Sequence, residues 1–203
     1  KGLAGAFNAN VLRKAELALS ELETSYSLIT VGKKSRDFFS NRHIPIAQSF
    51  WGFGDYTELR DTLPVAEFLI QGFLRGTWDE VYAIYTNFRT TLRQETVSKK
   101  ILPVTKEGLE DAVRGILPER GKFSDSKTTS DKQQATSYAY EYKFEPSPAE
   151  ILESLAPQLL TMHIHHIILE SNASEHSARM VAMKNASENA GELIGDLSLL
   201  YNK

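Results

Sequence analysis

The sequence predicts an α/β body that gives way to one long C-terminal helix, and three observations carry that prediction. A helical apolar rhythm over Val11, Leu12, Ala15, Ala18, Leu19 and Leu22 is followed by the β-prone run Tyr26–Val31, and further helices and strands follow it; such alternation argues for an α/β layer. After Pro148 no glycine occurs before Gly191, and Pro157 is the only proline, so about 50 residues read as one helix roughly 75 to 80 Å long. That exceeds the width of a small domain and requires part of the helix to leave the body. Finally, Met183, Ala186, Ala190, Leu193, Leu197 and Leu200 are spaced 3, 4, 3, 4, 3, the a/d seam of a heptad pattern that needs a second helix.

Taken in order, Gly2 and Gly5 open a turn, and Asn8 or Asn10 is placed to cap the first helix, which ends near Glu23. The run from Tyr26 to Val31 stops at Gly32. Lys33 to Asn41 is a short polar helix, and Ile44 to Trp51 is extended or irregular because Pro45 restricts it. Leu59, Leu63, Val65, Ala66, Leu69, Ile70 and Phe73 again follow helical spacing, with Pro64 expected in a first turn and Gly76 as the C-terminal cap. Val81–Thr90 and Glu95–Val104 read as strands joined around Thr91 to Gln94.

Thr105 to Gly121 is read as helix then loop, and residues 122–137 carry one aromatic and no aliphatic larger than alanine, too little to order themselves, so they read as a mobile loop. Tyr138, Tyr140, Tyr142 and Phe144 alternate onto one face of a strand, which suits a core face or a partner. Ser147-Pro148-Ala149-Glu150 is a capping box with proline at the first helical position. The expected organisation is a body over residues 1–146 and a long helix over 147–203 whose last part extends outward.

At 203 residues the chain can bury a real core, and its 41% hydrophobic and 24% charged content is that of an ordinary globular protein. A net charge of −3 gives no electrostatic reason to expect nucleic acid or an anionic membrane as the main partner. No apolar run reaches the roughly 18 to 20 residues that span a bilayer. The absence of cysteine removes disulfides and cysteine-ligated metal centres. The chain starts at Lys1 on a glycine turn with no charged or apolar leader, which predicts a fragment or a processed piece.

Chemistry is sparse. The Gly2-Leu3-Ala4-Gly5 turn lacks the third glycine of a dinucleotide fingerprint and the Gly-Lys-Ser/Thr of a P-loop, so a structural turn is the better reading. His163, His165 and His166 suggest a metal, yet on a helix His165 faces away from the other two and no carboxylate motif completes a ligand set. No nucleophile motif or active site emerges, and Asp79, Glu80 and Glu95 read as solvated. No cofactor is expected. Glu175 and Arg179 are four apart, fit for a surface ion pair or for a partner.

Two segments resemble a known family. SEHSARMVAMKNA, Ser174 to Ala186, is similar to the signature near the C-terminus of the gamma subunit of F-type ATP synthases. GLAGAFN, Gly2 to Asn8, resembles that family's Gly-Leu-Cys-Gly-Gly/Ala-Phe/Tyr-Asn segment, with Ala4 where cysteine is usual. In that family a long N-terminal helix and a first strand precede the glycine segment, and the C-terminal helix runs on beyond Tyr-Asn-Lys.

The resemblance implies a Rossmann-like open sheet with flanking helices, and a long C-terminal helix belonging to an antiparallel coiled coil. It implies a central-stalk rotor subunit that catalyses nothing itself and couples ion-driven rotation of a membrane ring to ATP synthesis or hydrolysis on partner subunits. Expected partners are the alpha and beta subunits, with Glu175 and Arg179 facing them, together with the epsilon subunit and the membrane c-ring, with Tyr142 and Phe144 at that foot. Nucleic acid is not expected. The membrane is approached only through partners, at the cytoplasmic face of a bacterial inner membrane, with an organelle inner membrane as the other location the resemblance allows. The rival reading is a small nucleotide-binding α/β enzyme that dimerises through its C-terminal helix.

Overall fold

The computed structural model describes residues 2–104 and 148–202. The helix and loop expected over Thr105–Gly121, the loop over 122–137, the aromatic strand Tyr138–Phe144 and the capping serine Ser147 lie outside the described residues.

Helix α1 spans Phe7–Ser20 and starts earlier than expected. Leu3 and Gly5 both take positive φ (62° and 54°), which turns the chain sharply enough that Asn10 N–H already bonds to Ala6 O at 2.9 Å. Asn8 and Asn10 therefore sit inside the helix, and Ala6 occupies the cap position without a side-chain bond. Strand β1 (Leu28–Val31), helix α2 (Lys33–Asn41) and strand β2 (Ile46–Phe50) form a parallel strand–helix–strand unit, with Leu28 opposite Ile46 and Val31 opposite Phe50. The segment over Ile44–Trp51, expected to be extended or irregular, is thus a strand over Ile46–Phe50. Its Ala-Gln-Ser centre has weak intrinsic β preference, and the order comes from pairing with β1, a non-local term.

Helix α3 (Leu59–Leu74) begins with a reciprocal box between Glu58 and Asp61. Pro64 lies inside it, six positions along, not in its first turn. Its ring removes the bond that would otherwise go to the carbonyl of Arg60, and the helix nevertheless runs on through it to Leu74. Gly76, at φ 69°, ends the helix with its N–H on Phe73 O at 3.0 Å.

Strands β3 (Val81–Phe88) and β4 (Gln94–Leu102) are an antiparallel hairpin whose turn closes with reciprocal backbone bonds between Thr90 and Arg93 at 3.0 and 3.2 Å. Among the described residues the four strands make two two-stranded sheets, β1–β2 and β3–β4, not one continuous ladder. They nevertheless share one core. Val65, Ala66 and Leu69 of α3, Tyr85 of β3 and Ile101 and Leu102 of β4 are buried together with Ile164, Ile167 and Ile168, and Ile29 of β1 and Phe50 of β2 pack against that cluster.

The three isoleucines belong to helix α4 (Pro148–Tyr201), 54 residues or about 80 Å of unbroken helix. Pro148 opens it, and Pro157 lies within it. The helix packs on α3 and β3 through its middle. From residue 183 to residue 202 every side chain is exposed. An α/β body with a long helix running out of it is therefore the observed architecture.

Candidate functional site

The two motifs that stand some 170 residues apart in the chain meet where α4 leaves the body. Arg179 Nε donates to Gly2 O at 3.2 Å, and its Nη2 pairs with the Glu175 carboxylate one turn earlier. A Cβ placed on Gly5 would lie 3.9 Å from the Cβ of Ala182, so the turn and the helix touch in van der Waals contact. Ala4 is buried, at 2% exposure, where a larger side chain would have to displace its neighbours. The Gly2–Gly5 turn is thus a seat for α4.

Other body segments reach the same stretch of helix. Ser174 is fully buried and its Oγ donates to Thr86 O on β3 at 3.2 Å, while Ser177 Oγ donates to Thr91 O in the hairpin turn at 2.7 Å. Asn172 Nδ2 donates to Thr57 Oγ1 at 3.0 Å, and His176 Nε2 lies 3.2 Å from Asp55 Oδ1, both in the loop between β2 and α3. Sequence reasoning missed these contacts. The available signal was two serines at i and i+3 inside a helix, where their hydroxyls compete with backbone bonding unless another acceptor is supplied.

Beyond them the expected seam runs along the free half of α4. Met183 is 41% exposed, and Leu193, Leu197 and Leu200 are 62 to 69% exposed, with Ala186 and Ala190 also at the surface. Ile194, Leu199 and Tyr201 are exposed as well, so the last two turns are apolar on more than one side. Apolar area of this extent on an isolated helix marks a binding surface. Tyr142 and Phe144, expected at the foot of the body, lie outside the described residues.

The histidines are used structurally. His165 Nδ1 is 3.0 Å from Thr62 Oγ1 on α3, and burial pushes its pKa below the ordinary imidazole value, as does neighbouring His166, while Asp61 acts weakly in the opposite direction. His166 Nε2 faces Glu170 at 3.2 Å. Among the described residues no group of three or more His, Cys, Asp or Glu is placed to hold a metal ion. A groove of about 740 Å³ lies between α2 and β2 beside Trp51 and Arg36; among the described residues that line it the one carboxylate, Asp37, is paired with Arg36 at 2.9 Å. On the hairpin, Glu80 accepts from Lys100 and from Tyr82 Oη (2.8 Å), which lowers the carboxyl pKa and raises those of the amine and the phenol. No described helix is long and apolar enough to cross a membrane.

Comparison with known proteins addresses the architecture directly. The family model described as ATP synthase matches residues 1–203. The ATP synthase gamma chain of Crocosphaera subtropica is 35% identical over 209 positions, covering all of this chain and 66% of that relative. The gamma chain of Roseiflexus castenholzii is 38% identical over 206 positions, with 62% of the relative covered. This chain therefore spans just under two thirds of the length of such relatives. Among solved structures, the central stalk and c-ring of the Tetrahymena thermophila mitochondrial ATP synthase matches 92% of this chain and 72% of its own, with TM-score 0.61 and 21% identity. The rotor of the Euglena gracilis mitochondrial enzyme matches all of this chain and 69% of its own, with TM-score 0.61 and 18% identity. Those two establish the shared fold, and the match of the family model from the first residue to the last establishes descent: the chain belongs to the gamma chain family of ATP synthases.

Proposed function

We propose that this chain works as a central-stalk rotor segment, carrying rotation between an ion-driven membrane ring and the subunits on which ATP is made or hydrolysed. The observation that carries this reading is the division of α4: its middle is packed into the body, while twenty consecutive residues project with an apolar seam uncovered. A stiff projecting helix with an unpartnered a/d stripe suits one strand of a two-helix shaft. Met183, Ala186, Ala190, Leu193, Leu197 and Leu200 form the seam toward the second helix, and the two alanines allow close approach. The alpha and beta subunits surround the shaft, and Glu175 and Arg179 stand where the shaft meets them. Tyr142 and Phe144 belong to the foot that meets the epsilon subunit and the c-ring.

In this reading the subunit is non-catalytic, needs no cofactor and reaches the cytoplasmic face of a bacterial inner membrane only through its partners. Its body, over residues 1–146, carries the long helix, over 147–203, whose last part extends outward as the shaft. Co-expression with tagged alpha and beta subunits tests it: the chain is expected to co-purify with them and to be required for ATP-driven ion pumping. Saturable ATP binding by the chain alone, with no co-purification, would overturn the reading and favour a nucleotide-dependent enzyme.

A further inference from the structure

Within eight residues of α4, five polar side chains grip four separate segments of the body. Asn172 and His176 hold the loop before α3 at Thr57 and Asp55, Ser174 holds β3 at Thr86 O, Ser177 holds the hairpin turn at Thr91 O, and Arg179 holds the N-terminal turn at Gly2 O. At about 100° per residue these five positions are distributed over roughly 220° of the helix circumference. The grip therefore reaches well past half-way round, and it lies immediately before the point at which the helix becomes fully exposed.

The character of this contact differs from that lower on the same helix. Ile164, Ile167 and Ile168 bury against α3 and the hairpin from one side, and apolar burial is non-directional, so it resists separation far better than it resists a turn about the helix axis. Hydrogen bonds weaken steeply once their angle is lost, and four of these five contacts are hydrogen bonds within 3.2 Å. Turning α4 about its own axis would break contacts to all four segments together. Three of the acceptors are main-chain carbonyls, so the hold depends on side chains of the helix and on the backbone course of the body.

We infer that residues 172–179 form a polar collar that locks the rotational angle of α4 to the body, so that torque passes between them without slip. The inference rests on the rotor reading above and assigns Asn172, Ser174 and Ser177 as positioning residues.

The test uses the assembled complex. Asn172→Ala, Ser174→Ala and Ser177→Ala combined are expected to lower ions pumped per ATP hydrolysed several-fold while hydrolysis continues. An unchanged ratio in a complex that assembles normally overturns the collar. A covalent version decides the matter even if that variant does not assemble. Gly5→Cys with Ala182→Cys places the two Cβ atoms about 3.9 Å apart, within disulfide range, in a chain with no other cysteine; because Gly5 has φ 54°, where any side chain is strained, the reduced form of the same variant is the reference for each comparison. Oxidation is expected to leave pumping unchanged in the otherwise native complex and to restore the ratio in the triple variant; loss of pumping on oxidation of the native complex overturns the collar, since it would mean that the turn and the helix move against each other. If the unaltered chain fails to assemble with alpha and beta subunits, the rotor reading itself falls, a result separable from either outcome above.

Discussion

Gly72 lies directly beneath the indole of Trp78: a Cβ at Gly72 would stand 1.9 Å from Cζ2 of that ring. The indole cannot move aside freely, because its Nε1 donates to Leu69 O at 3.1 Å and its ring packs 5.5 Å from that of Phe68. Gly72→Ala is expected to cost about 1 to 3 kcal/mol of unfolding free energy, as over-packing does. A urea titration followed by tryptophan emission measures it, and an unchanged midpoint would show that the ring is not held.

Gly191 and Gly195 present the opposite case. Both lie in the exposed part of α4, and neither has an atom within 4 Å of an added Cβ. Replacing either by alanine should therefore increase helix content near the C-terminus, by up to about 1 kcal/mol per site. Amide exchange over residues 185–202 is the measurement, with slower exchange expected in both variants.

His165 makes stability depend on pH. Its folded-state pKa lies below the ordinary value of 6.5, so below that pH the unfolded chain binds the proton more readily, and stability falls as the medium is acidified toward the folded-state value. Asn placed here keeps a polar atom near the position of Nδ1, opposite Thr62 Oγ1, and does not titrate. The fall in melting temperature between about pH 7 and about pH 5 should be smaller in His165→Asn than in the parent. Equal slopes would remove His165 from the account.

The seam can be tested apart from the body. Leu193→Glu with Leu197→Glu alters side chains that are 62% and 63% exposed, so the unfolding midpoint of the body should not change. Sedimentation of the unaltered chain should show self-association through the seam, and the double variant should sediment as a monomer and lose co-purification with alpha and beta subunits. A parent chain that is monomeric at every concentration would count against an adhesive seam.

What was legible in the sequence was whatever is set locally. Pro148 and the glycine-poor stretch that follows it, the β-prone run ending at Gly32, and the 3-4 spacing from Met183 to Leu200 each impose a conformation or expose a pattern without help from distant residues. The errors fall where a tertiary partner decides. The segment around Ala47, read as extended or irregular, becomes a strand through pairing with β1, and α3 runs through Pro64 while packed against α4. The five polar holds on α4 were invisible for the same reason: a serine at 174 or 177 declares no acceptor until Thr86 and Thr91 are brought alongside it.

The exposed run of α4 also acts as a lever arm. From the exit near Ala182 it carries Tyr201 about 28 Å outward, so each degree of tilt at the exit sweeps Tyr201 through roughly half an ångström. A fluorophore carried there would magnify distortions of the glycine turn too small to detect at their origin, and any looseness near Ala182 would reach the far end as a visible wobble.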